Sequence, residues 1–103
     1  MFPRVRYPQT SQAHALTFLK FVWNEEANAY LSEPFTVNRT MEVYVKMSRW
    51  APVVILKKDT DEEYSVYGQS PKERDEHHFD IHATDAITVM LATPVEVQKC
   101  WIL

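Results

Sequence analysis

From Met41 to Met47 apolar and polar side chains alternate: Met41, Val43, Val45 and Met47 fall on one side, Glu42, Tyr44 and Lys46 on the other. A repeat of two puts successive side chains on opposite faces of an extended chain, so the segment predicts a β-strand with one face in a core. The same kind of signal recurs from Pro34 onward. Phe35-Thr36-Val37 alternates briefly. Val53-Val54-Ile55-Leu56 is a continuous, mostly β-branched run, the pattern of a strand covered on both faces. Asp59 to Glu63 is a polar link and Tyr64-Ser65-Val66-Tyr67 returns from it, which reads as a β-hairpin. His78 to His82 sets Phe79 and Ile81 on one face. Ile87 to Leu91 is strongly apolar, Pro94 marks an edge or bulge, and Val95 to Leu103 alternates again.

Residues 11–33 admit two readings. As a helix, Leu16, Leu19, Trp23, Ala27 and Tyr30 form one stripe and Ser11 caps it. The domain would then be α+β, with one helix near 11–31. As strands, Leu16 to Trp23 leads into a turn at Asn24 to Asn28, and Ala29 to Val37 returns. Composition favours strands, because Thr17, Phe18, Phe21, Val22 and Trp23 all lose side-chain freedom in a helix. The expected fold is therefore all-β: a small antiparallel β-sandwich, jelly-roll or immunoglobulin-like, of about seven or eight strands. Residues 1–10, with two prolines and two arginines, read as an extended arm, and 11–103 as one β-rich domain.

Two scarce residues exclude several chemistries. Gly68 is the one glycine, so no Gly-rich phosphate loop can be written, and turns must rest on Asn, Asp, Ser and the six prolines. Cys100 is the one cysteine, which excludes an internal disulfide and a thiolate zinc site. A cysteine-poor small domain suits a reducing compartment. The first residues lack a secretion signal's apolar run, so the expected setting is intracellular or within a virion. No stretch reaches the ~18 apolar residues of a membrane span. A net charge of −3 argues against nucleic acid as the main partner.

Three constellations carry candidate function. In a strand, His78, Asp80 and His82 share one face, and two imidazoles with a carboxylate suit a divalent metal. Charge is uneven: nine acids and two bases lie between Asp59 and Asp85, while the arm carries Arg4 and Arg6. An arm lying on an acidic face of another subunit would use that asymmetry. Trp50 beside Arg49 sits in a connector, and Tyr44, Tyr64 and Tyr67 lie on strands, which are residue types common in interaction surfaces. No Ser stands on a sharp turn between small residues, and Cys100 beside Trp101 reads as core.

These features lead to the expectation of a non-catalytic structural or interaction module that assembles with itself or with other proteins, a viral or phage particle being one setting. No resident cofactor is expected. The alternatives are a metal-binding protein or metal-dependent enzyme using His78, Asp80 and His82, and a carbohydrate-binding module using Trp50 and the tyrosines.

Overall fold

The computed structural model describes residues 17–70 and 76–103. Among them are ten strands: β1 Thr17–Phe18, β2 Phe21–Asn24, β3 Ala29–Ser32, β4 Phe35–Val37, β5 Met41–Met47, β6 Val54–Lys58, β7 Tyr64–Gln69, β8 Glu76–Ile81, β9 Ile87–Thr93 and β10 Val97–Ile102. They form two antiparallel sheets. One runs β1-β10-β5-β8; the other runs β2-β3-β9-β6-β7, with β4 also on β9.

The pairs nest. β6 pairs with β7, β5 with β8, β3 and β4 with β9, and β1 with β10. Such a nested set is one long hairpin, and the further pairs β10 to β5 and β9 to β6 show it wound on itself. That winding is the jelly roll, one of the two sandwiches the strand spacing predicted.

Two of the predicted strands are broken. Leu16 to Trp23 was expected as one run, but Thr17–Phe18 pairs in one sheet and Phe21–Asn24 in the other. Buried Leu19 makes the crossing, and its N–H donates to Cys100 O at 2.9 Å. Ala29 to Val37 is split at Glu33-Pro34, since proline cannot donate to a ladder. Ser32 repairs the gap: its buried Oγ accepts from Leu91 N–H at 2.9 Å. These two breaks account for ten strands where about seven or eight are expected.

The helix alternative is overturned over residues 17–32, where the chain makes strands and a turn. The turn works without glycine. Asn24 Oδ1 accepts from Ala27 N–H at 2.9 Å, and Asn28 takes the left-handed conformation at φ 53°. Residues 11–16 and the arm at 1–10 lie outside the described residues.

The core lies between the sheets. Val43, Val45 and Met47 of β5 meet Val89 and Leu91 of β9 there, with Val37, Val53, Ile81 and Cys100. The expectation of a β6 run covered on both sides needs correction. Val53 and Ile55 are buried, but Val54 and Leu56 on the other face are only half-buried, because no further layer covers that sheet among the described residues.

The β6–β7 ladder shifts register between Ile55, opposite Gly68, and Leu56, opposite Val66. Tyr67 is the extra residue of this bulge. A Cβ at Gly68 would meet Ile55 Cδ1 at an ordinary 3.7 Å, and Gly68 does not have positive φ. Neither space nor backbone requires glycine there. Gly68→Ala should therefore stabilise the protein by about 0.5 kcal/mol by restricting the unfolded chain; a urea titration with a lower midpoint than wild type would contradict this.

Candidate functional site

The outer face of the four-stranded sheet carries a stack of rings. Register sets His78 opposite Tyr44, and Tyr44 opposite Trp101. Strands about 4.8 Å apart place facing rings at stacking distance. Tyr44 and His78 have centroids 4.1 Å apart and planes 11° apart; Tyr44 and Trp101 are 5.1 Å and 5°. Lys99 Nζ lies 5.3 Å from the Trp101 centroid and 5.7 Å from that of Phe18, which β1 sets opposite Trp101. A sugar stacks on the free face of a ring. Tyr44 has His78 on one face and Trp101 on the other, so it offers none.

Next to this stack the same registers gather three ionisable groups. Glu42 is directly opposite Asp80, and His78 is one step along β8 on the same face. His78 Nε2–H donates to Glu42 Oε1 at 3.0 Å, and Tyr44 Oη donates to the same oxygen at 3.2 Å. One donor atom from each of Glu42, His78 and Asp80 lies within 4.8 Å of the others. The three line an open depression of about 460 Å³ with Arg39, Thr40 and Leu103. Partial desolvation raises the Tyr44 phenol above its ordinary value, and the charge and hydrogen bond of Glu42 and the charge of Asp80 add to the shift.

The sequence predicted His78, Asp80 and His82 as one group. The structure brings His78 and Asp80 together and sets His82 apart, beyond the end of β8, where its Nδ1 is hydrogen-bonded to Thr40 Oγ1 at 2.9 Å. The third member is Glu42 from β5. Its outward side was legible from the alternation of Met41 to Met47; its place opposite Asp80 depends on inter-strand register, which no local signal carries.

The other candidates do not form one surface. Trp50 is half-buried, with its ring 6.2 Å from that of His77, a buried core histidine. Arg49 beside it is exposed. Tyr64 and Tyr67 lie on β7 in the other sheet from Tyr44; Tyr67 Oη donates to His82 O at 2.7 Å and so ties the two sheets' edges together. Arg4 and Arg6 lie outside the described residues.

A different surface, not singled out by the sequence, is β2. It ends its sheet, and among the described residues no strand pairs with its outer edge. Val22 is 69% exposed and Trp23 43%, on opposite faces of the strand. The edge-to-face contact of Trp23 with Tyr30, centroids 5.0 Å apart, holds the hairpin together.

No family model, curated protein or solved structure matches this chain.

Cys100 is buried in the core, and desolvation pushes its thiol up to about 12. It is no nucleophile near neutrality. The folded state favours the neutral thiol, so this contribution to stability is full below the unfolded value of about 8.5 and lost as pH rises toward the folded value. A disulfide reagent at about pH 8 should leave the native thiol unmodified and titrate it fully after denaturation. Rapid native labelling would place Cys100 outside the core.

Proposed function

We propose that this chain is an interaction module that associates with a second copy of itself through the edge of β2. The observation that carries this reading is the composition of that edge: Phe21, Val22, Trp23 and Asn24, with neither charge nor proline, and two large apolar side chains exposed. Natural sheets blunt such edges with lysine, proline or a covering segment, because unpaired N–H and C=O groups template a further strand. Charge supports a second copy as the occupant. Exposed Lys20 precedes β2, and exposed Glu25 and Glu26 follow it. An antiparallel partner brings each Lys20 toward the acidic end of the other strand, and the contact is isologous and closed.

Jelly rolls occur in capsid proteins, lectins and cupins, and that range makes the winding a poor guide to activity. A viral particle remains one setting for such a module. The edge strand, rather than the fold, supports the assembly reading.

Sedimentation velocity tests it. Wild type should form dimers at tens of micromolar, and Val22→Lys, which puts charge on an exposed edge position, should shift the mass to the monomer without lowering the melting temperature. Wild type that stays monomeric, or a dimer indifferent to Val22→Lys, would overturn the proposal.

A further inference from the structure

We propose that Glu42, His78 and Asp80 bind a divalent transition-metal ion, with zinc the best match, on the outer face of the four-stranded sheet. The site is distinct from β2, which belongs to the other sheet, so either proposal can fail without the other.

The donor set is mixed. One imidazole nitrogen and two carboxylates suit a borderline ion, and the two negative charges balance its double positive charge. Bonds of about 2.0–2.1 Å set neighbouring donors about 3.3 Å apart around a tetrahedral ion. His78 Nε2 and Glu42 Oε1 already stand 3.0 Å apart. All three donor atoms lie within 4.8 Å, so side-chain torsions need to close the set by only about 1.5 Å to reach ligand spacing.

Register supplies a second argument. Glu42 and Asp80 are direct cross-strand partners. Like charges so placed destabilise a sheet, and a shared cation converts that repulsion into attraction. Tyr44 supplies a third. It stacks on the His78 ring and donates to Glu42, and so restrains two of the three ligands from outside the donor set. The open depression leaves coordination positions for water or a further ligand, and Arg39 borders it.

The test uses the untagged full chain, stripped with chelator and titrated with zinc by calorimetry. One ion per chain should bind. Glu42→Gln and Asp80→Asn should each weaken binding at least about 10-fold, and His82→Gln should leave it unchanged, because His82 belongs to Thr40 instead. Shifts of the His78 ring proton signals in the wild-type NMR spectrum give a readout that needs no variant. Absence of saturable binding, binding that survives both carboxylate substitutions, equal loss with His82→Gln, or an unmoved His78 ring would each overturn the site.

Discussion

Strand β5 is hydrogen-bonded on both sides, to β8 and to β10, and those two registers fix what each face of the four-stranded sheet presents. With Val43 opposite Phe79 and Val45 opposite both His77 and Cys100, the inner face is closed and largely apolar. The same pairings set Glu42 against Asp80 and stack His78, Tyr44 and Trp101 outside. A slip of one residue would exchange the two faces, exposing Val43 and Val45 while burying Glu42 and Lys46. Hydrophobic burial thus enforces the register, and the polar cluster comes with it.

The winding also decides which edges remain open. At one side of the sandwich β7 and β8 end their sheets, and the Tyr67 hydroxyl spans from one to the other through His82 O. At the other side a single stretch of chain serves both sheets, with β1 on β10 and β2 on β3. Leu19 anchors that crossing in the core. The hairpin of β2 and β3 is left with Val22 and Trp23 in solvent. Among the described residues no strand covers the outer edge of β2, the edge on which the self-association proposal rests.

The sequence made individual strands legible because the period of two is a local signal. It appears in Met41 to Met47 whatever the partners are. Pro34 and Leu19 were harder to read. Proline's missing donor splits one strand, and Leu19 breaks another by crossing between sheets, an event that depends on tertiary packing rather than propensity. The hairpin turn was legible from Asn24 and Asn28, whose short polar side chains do the work glycine would otherwise do. The metal-ligand reading was half legible: His78 and Asp80 share a strand, while Glu42 is 36 residues from His78 in the chain and reaches it through register alone. Alternation alone carries the face on to His82, but β8 ends at Ile81, and Thr40 holds the imidazole beyond it.

Everything proposed for the outer face rests on the pairing of β5 with β8, so the most direct measurement is a nuclear Overhauser spectrum of isotopically labelled protein. The register predicts backbone contacts between Glu42 and Asp80, Val43 and Phe79, and Tyr44 and His78, together with ring contacts from Tyr44 to both His78 and Trp101. A set displaced by one residue, with Val43 facing Asp80 and Tyr44 facing Phe79, would contradict it. The acid–imidazole cluster and the ring stack would then both be absent.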